Sequence, residues 1–520
     1  MMIKDLKFHL ADDYDQKQLI RQLADPYAIQ SSPARTEKFA LYDTFDWRLF
    51  KKSRVLYSSG SRLYVRKLSK SDILESADFR RAPVFIWDFA EDGLRQVLEP
   101  IIKMRALLKL FEASFRATSY RILGPSEKTV AYLVFEELYR PRQKGVAALA
   151  HHLWLKPVKG YSKYARHLMQ NIKRAGLTAV SEKEFYVNAL ASVNQKPGSY
   201  SAKVNVKLDP AMRSDEATKG VLRFLMTVMR TNEAIFAKDL DTEVLHDFRV
   251  AVRRTRSALA QVKGVFPIRT TNRFKKDFAY VGKLSNELRD LDVYLLAQDE
   301  YKAMLSAELR DDIDPLFSYL HKKRASAFQQ VERGLKTQKY ANIMKDWEAF
   351  LKQPPSDALT APNANLAVID LARRRIFKKY KGIVKTGTRI LANTEDELLH
   401  ALRIECKKLR YLLEFFGGLF PRKKMNALIG QLKKLQDNLG DFNDLCVQQQ
   451  YLLNISAEMP DGRREVKKTL VAIGSLIQTL SHKKQSVKQA FAGTFTDFAA
   501  PSNQRLFREL FSPKAGKSAS

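Results

Sequence analysis

Two stretches of this chain repeat one arrangement of groups suited to holding phosphate. Leu245–Leu259 (LHDFRVAVRRTRSAL) and Leu399–Leu413 (LHALRIECKKLRYLL) both open with Leu-His. Each then places Arg three residues after the His, a basic pair at seven and eight, and Arg at ten. The first set is His246, Arg249, Arg253, Arg254 and Arg256; the second is His400, Arg403, Lys407, Lys408 and Arg410. Arginine offers a planar fork of donors to phosphate oxygens, lysine a compact charge, and a neutral histidine one N–H. A metal site does not fit, because the flanking cations repel a metal ion and no second His or carboxylate stands three or four residues after either His. No nucleophile with a base and an orienting group is recognisable either.

The elements that must position these groups are helices. At about 100° per residue, His246, Arg249, Arg253 and Arg256 fall within an arc of roughly 80°, as do His400, Arg403, Lys407 and Arg410. A neighbouring stripe is apolar: Leu245, Phe248, Val252 and Leu259 in one copy, Leu399, Leu402, Cys406, Leu409 and Leu413 in the other. Each helix is therefore expected to bury one stripe and hold a basic stripe beside it. Like charges this close repel, and a polyanion seated on them relieves the repulsion. The bland alternative, a solvated charged face, would more often mix Glu with Lys, and neither stripe has an acid at these positions.

The separation of the copies, His246 to His400, is 154 residues (400 − 246). The repeat extends further: KLSNELRDLD at Lys283–Asp292 matches KLQDNLGDFN at Lys434–Asn443, which adds Lys283 and Lys434 as candidates. Arg223 and the basic run containing Arg373, Arg375 and Lys378 qualify on charge and helix position alone.

Around these motifs, residues 1–195 read as short β-type segments with a few helices. Phe39–Tyr42, Arg62–Leu68, Val84–Asp88 and Thr129–Glu136 look like strands, and Gln16–Leu23, Pro100–Phe111 and Lys163–Ala175 look helical. Residues 196–215 carry Pro, Gly and Ser and read as a linker. From 216 to 511 the pattern is helical, with one repeat over 216–352 and a second over 364–511, and 512–520 reads as a disordered tail. The fold class is thus α+β, with an antiparallel β domain followed by two pseudo-symmetric helical bundles.

The charge balance, 90 Lys+Arg against 57 Asp+Glu for a net +33, calls for an anionic partner. Two cysteines without CxxC spacing fit a cytoplasmic protein, the N-terminus MMIKDLKFHLADD is too charged for a signal peptide, and no apolar run reaches about 18 residues. No membrane, metal or cofactor is expected. Among polyanions, nucleic acid ranks second: the residues between the cations are aliphatic rather than aromatic, and no nucleic-acid motif appears. A featureless phosphate chain needs only repeated charge, which favours inorganic polyphosphate.

Residues 216–511 resemble the CHAD family, the conserved histidine α-helical domain. The resemblance rests on LHDFRVAVRRTRSAL, ELRDLD, ELLHALRIECKKLRYLLEFF followed by LFP, and NLGDFND. It implies paired helical bundles around a basic channel, polyphosphate binding by the His, Arg and Lys residues named above, and association with polyphosphate granules. The N-terminal region is similar to a degenerate CYTH, or triphosphate tunnel, domain. That likeness lies in YDTFDWRLFKKS at Tyr42–Ser53 and KPVKGYSKYA at Lys156–Ala165. The family's ExExK hallmark aligns with Ile3-Lys4-Asp5-Leu6-Lys7: the first Glu is lost, the second is Asp and the Lys is kept. Metal-assisted phosphoryl chemistry needs carboxylates to hold the ion, so binding is expected rather than catalysis. A metal-dependent triphosphate or polyphosphate hydrolase is the alternative.

Overall fold

Alternating apolar and polar residues in the first part of the chain pair into an antiparallel sheet, whereas the 3.6-residue periodicity of the remainder coils into helices. The structure, a computed structural model, describes residues 5–69, 73–141, 146–355, 359–392, 394–458 and 464–512. Ile3, Lys4 and the 513–520 part of the expected tail lie outside the described residues. The chain divides into two compact units, Met1–Ser201 and Ala202–Ser520, and the division falls inside the 196–215 stretch.

The first unit is a nine-stranded antiparallel sheet. Its strands are β1 (Leu6–Leu10), β2 (Ala28–Ser31), β3 (Arg35–Thr44), β4 (Arg54–Ser59), β5 (Arg62–Lys67), β6 (Ile73–Asp78), β7 (Leu107–Leu123), β8 (Thr129–Pro141) and β9 (Val146–Pro157). They are ordered β1-β9-β8-β7-β3-β4-β5-β6, with β2 also pairing β7. An antiparallel sheet of this kind is compatible with the CYTH likeness.

Helices Gln16–Ala24 and Ser162–Arg174 form where expected. Two expectations fail locally. Val84–Asp88 is a tight turn rather than a strand, because the Asp88 carboxylate accepts the N–H groups of Val84 and Phe85 at 2.9 Å each. Pro100–Phe111 is not one helix. The helix Gly93–Ile102 stops at Lys103, whose φ is 54°, and β7 takes over at Leu107 because its apolar residues pair with β3.

In the second unit, each repeat presents three successive helices in the same order. Ser214–Phe236, Thr242–Gln261 and Ile268–Lys283 in the first correspond to Val368–Ala392, Asp396–Phe416 and the start of Arg422–Glu458 in the second. The relation between them is visible in the backbone. Ser214 N–H donates to Leu366 O and Val368 N–H donates to Met212 O, each at 2.9 Å, around the antiparallel bridge Arg213↔Ala367. Arg213 and Ala367 are 154 residues apart (367 − 213), the same step as between the signature histidines. A residue bridged reciprocally to its own repeat equivalent lies on a pseudo-two-fold axis, so the duplication in sequence is a duplication in space.

After the first signature helix the helical stretch is broken into Ile268–Lys283, Asn286–Leu296 and Gln298–Met304. Ser285 at the first break is buried and receives a hydrogen bond from a signature arginine.

Close helix packing depends on one glycine. In Val368–Ala392, a Cβ at Gly387 would overlap the ring of buried Phe495, whereas Gly382 on the same helix faces open space. Gly387→Ala is expected to cost about 2–3 kcal/mol by overpacking. Gly382→Ala should gain about 0.5–1 kcal/mol from helix propensity. Urea denaturation of the two variants checks the pair; equal stability would mean that the Phe495 ring yields freely.

Candidate phosphate-binding cluster

The two signature helices, Thr242–Gln261 and Asp396–Phe416, pack against one another. Asp241 caps the first by accepting from the Glu243 and Val244 N–H groups at 3.0 and 3.1 Å, which fixes where the helical phase begins. The predicted apolar stripes are buried: Leu245, Phe248, Val252 and Leu259 on one helix, Leu399, Leu402, Cys406, Leu409 and Leu413 on the other. Burial of these stripes sets the rotation of each helix and leaves the basic residues half-buried or exposed beside the core.

The centre of the cluster joins cations from both helices. Arg249 donates through Nη1 to Ser285 Oγ (3.0 Å) and Asn286 Oδ1 (2.9 Å), both neutral. Burial, with neighbouring Arg253 and Arg289 against it, pushes its guanidinium down to about 10. On the facing helix, burial together with Arg403 and Arg253 pushes the Lys407 ammonium down to about 8. Arg253 thus bears on a cation of its own helix and on one of the opposite helix. Among the described residues, Arg253, Arg256, Lys283, Lys407 and Lys434 have neither an ion pair nor a hydrogen bond. Arg403 donates Nη2 to Asp444 Oδ1 at 3.1 Å, but its Nε is buried without a partner, as is Nε2 of Gln436. The arrangement is a cation cluster with spare donors and too little negative charge.

Other candidates are spoken for. Glu414 receives Arg254 (Nη2 at 2.6 Å, Nε at 3.1 Å) from the first helix and Arg410 (Nε at 2.9 Å) from its own. Arg254 also donates to Ala202 O at 2.9 Å, and Arg410 to Gln436 Oε1 at 3.3 Å. Lys408 turns to Glu405 (2.6 Å), which Lys379 also holds. Arg223 donates to Leu351 O and Glu216, Arg375 to Lys263 O, and Arg373 lies 3.7 Å from Asp370. Lys378 is exposed, and His246 is half-buried.

His400 is held by a side-chain amide of the second repeat. Its Nδ1 is 2.7 Å from Asn443 Oδ1, and the Asn443 amide is oriented by its own donation to Asp444. Nδ1 is therefore the protonated nitrogen of the neutral ring. Its single N–H is already used, so His400 can donate to a phosphate only as imidazolium, through Nε2.

The acids Glu405 and Glu414 and the polar groups Ser285, Asn286, Gln436, Asn443 and Asp444 are not among the residues that charge and spacing single out. Most of these fall in or beside the second repeated motif, and that recurrence was the available signal. The glutamates sit outside the histidine-led register and only three-dimensional packing connects them to it.

Lys7, the retained hallmark lysine, is in the sheet unit. It lines a cavity of about 630 Å³, buried, 3.3 Å from Glu136 and 3.7 Å above the Phe185 ring. Asp5 also lines this cavity. No group of three or more His, Cys, Asp or Glu among the described residues is placed to hold a metal ion. No helix among them is long and apolar enough to cross a membrane.

Residues 220–453 match the model of the CHAD domain. Among curated proteins, the chain is 24% identical over 258 residues to the uncharacterized protein Rv2226 of Mycobacterium tuberculosis strain H37Rv, a match covering 47% of this chain and 46% of that protein. It is 21% identical over 249 residues to the uncharacterized protein MT2285 of strain CDC 1551, again 47% of this chain and 46% of the relative. The chain thus spans about half the length of the curated relatives it matches. Among solved structures it is similar to the CHAD domain from the plant Ricinus communis, with 24% identity, TM-score 0.48, and coverage of 57% of this chain and 96% of that one. A second is PptA from Streptomyces chartreusis, with 14% identity, TM-score 0.40, and coverage of 55% and 100%. Within the helical unit, residues 220–453 carry the CHAD domain.

Proposed function

We propose that the helical unit binds inorganic polyphosphate along the basic surface shared by its two signature helices, and that this binding brings the protein to polyphosphate granules. The carrying observation is Lys407: a half-buried ammonium on the shared face of the two helices, pushed down to about 8 by burial and by two arginines against the weaker pull of Asp444, and without an ion pair among the described residues. Such a group stores unfavourable free energy that an anion relieves. Arg253 and Arg256, exposed and unpaired, extend the charge along the first helix, and Lys283 and Lys434 extend it in both repeats. Phosphates spaced along one chain engage these cations together, so weak contacts multiply.

Competition tests the chemical class. Long-chain polyphosphate bound to the full chain should resist displacement by RNA at equal phosphate concentration; efficient displacement would make the surface a general polyanion site.

The reading also fixes a pH dependence. Lys407 has a folded pKa below that of an ordinary lysine, so the unfolded chain binds more protons above pH 8 and ligand-free stability rises with pH from about 8 towards the ordinary lysine value. Bound phosphate raises that pKa, so binding takes up a proton near pH 8 and weakens as pH rises to 9.5, by up to about tenfold. Calorimetry at pH 8 in two buffers of different ionisation enthalpy measures the uptake. It should vanish in Lys407→Ala; uptake unchanged in that variant would place the titrating group elsewhere.

A further inference from the structure

The cavity of the sheet unit, unlike the basic helices, is lined by acids and bases in equal number. Its volume, about 630 Å³, is that of a small-molecule site. Its charged lining separates by depth. Asp5, Arg35 and Lys156 are exposed at the rim, whereas Glu37, Glu136, Glu182, Lys7 and Arg66 lie inside. The inner set carries three carboxylates against two cations, and both cations are engaged. Lys7 pairs with Glu136 at 3.3 Å beneath the Phe185 ring. Arg66 pairs with Glu182 at 3.2 Å, with its guanidinium 5.1 Å from the Tyr57 ring centre. The remaining acid, Glu37, has no ion pair among the described residues; its Oε2 accepts only the Ser59 hydroxyl, at 2.7 Å.

Aromatic rings line the same cavity as this acid. Glu37 is opposite Phe115 in the β3–β7 register, and Phe39 is two residues along the same face of β3. The Phe39 ring centre is 5.7 Å from that of Tyr57, 6.5 Å from Phe115 and 5.9 Å from Phe185. Burial raises the Tyr57 phenol, and Glu182 and Glu136 raise it further against Arg66, so this ring sits in the field of both ion pairs. A phosphate chain entering here would lose its hydration against an excess carboxylate, with the inner cations already paired. An ammonium would instead meet one unpaired carboxylate and several ring faces, the chemistry that recognises organic cations.

We propose that the sheet unit binds an organic cation, an amine with an aromatic or alkyl body, with Glu37 as counter-ion and Phe39, Tyr57 and Phe115 as the walls. This differs from the triphosphate ligand that the CYTH likeness implies, and it stands independently of polyphosphate binding by the helical unit. The test is calorimetry of the full chain with two probes, tryptamine and benzyltrimethylammonium. At least one should bind saturably with one-to-one stoichiometry. Glu37→Gln should weaken it about tenfold, the loss of one ion pair worth roughly 1.4 kcal/mol. Glu37→Asp should retain most of the affinity, and Glu112→Gln, on an exposed residue of β7, should leave it unchanged. Sodium tripolyphosphate should not displace the bound amine. Failure of both probes to bind the native chain overturns the proposal, as does native affinity in a folded Glu37→Gln variant or displacement by tripolyphosphate.

Discussion

Arg253→Ala combined with Lys407→Ala is expected to weaken binding of long-chain polyphosphate about 100-fold. The two residues stand on facing helices, have no ion pair or hydrogen bond among the described residues, and act on one another electrostatically. Neither holds the fold through a counter-charge, so their removal subtracts ligand contacts and relieves repulsion in the free protein. A charge-assisted contact to phosphate contributes about 1.5 kcal/mol, and two such contacts give about two orders of magnitude. The salt dependence should move with the affinity. By analogy with nucleic acids, each neutralised phosphate contributes roughly 0.7–0.9 to the slope of log K against log salt, so the double variant should lose about 1.5 from it. Reduced affinity with an unchanged slope would show that the residues act through the fold rather than on phosphate. In polyphosphate-free buffer the variant should melt no lower than the parent, because it has lost two repelling charges.

Glu414→Gln is expected to produce the opposite signature. This carboxylate joins the helices by holding Arg254 from one and Arg410 from the other, and the Arg254–Glu414 side chains are only 13% and 18% exposed. Removing one member of a largely buried pair leaves cations without counter-charge, and about 3 kcal/mol of stability should be lost. Polyphosphate should restore much of that loss, because Arg410 lies in the basic stripe and Arg254 is next to Arg253, so both released guanidinium groups can pair with phosphate. Melting curves with and without polyphosphate measure both effects. A variant that polyphosphate stabilises no more than it stabilises the parent would mean that Arg254 and Arg410 are purely structural. On this account Glu414 limits how many cations the surface offers, a role that no property of the histidine-led stripes announces.

The legible parts of this chain are those governed by local periodicity. The signature helices, their buried stripes and the basic residues beside them follow from spacing alone, since an apolar face fixes the rotation of a helix about its axis. The duplication was equally legible, and the reciprocal bridge at Arg213 and Ala367 gives it a spatial axis. What spacing does not carry is partnership between elements. Arg254 and Lys407 both belong to the repeated basic pairs, yet Arg254 is neutralised by a glutamate 160 residues away and Lys407 faces two arginines. His400 loses its one N–H to Asn443, which is 43 residues distant. In the sheet unit, Pro100–Phe111 has helical content until β3 offers its pairing edge, and then tertiary contacts override local preference. Glu37 is not legible in the sequence because a lone acid on a strand has no pattern; only the rings lining the same cavity give it meaning.

The central claim is that two helices from two repeats form one phosphate-binding surface, and the most direct measurement is a salt series. Long-chain polyphosphate binding to the full chain should weaken steeply and linearly in log salt, and the slope should flatten equally for Arg253→Ala and Lys407→Ala measured singly. A steep slope that one variant flattens and the other leaves intact would contradict a shared surface and assign the phosphate to a single helix.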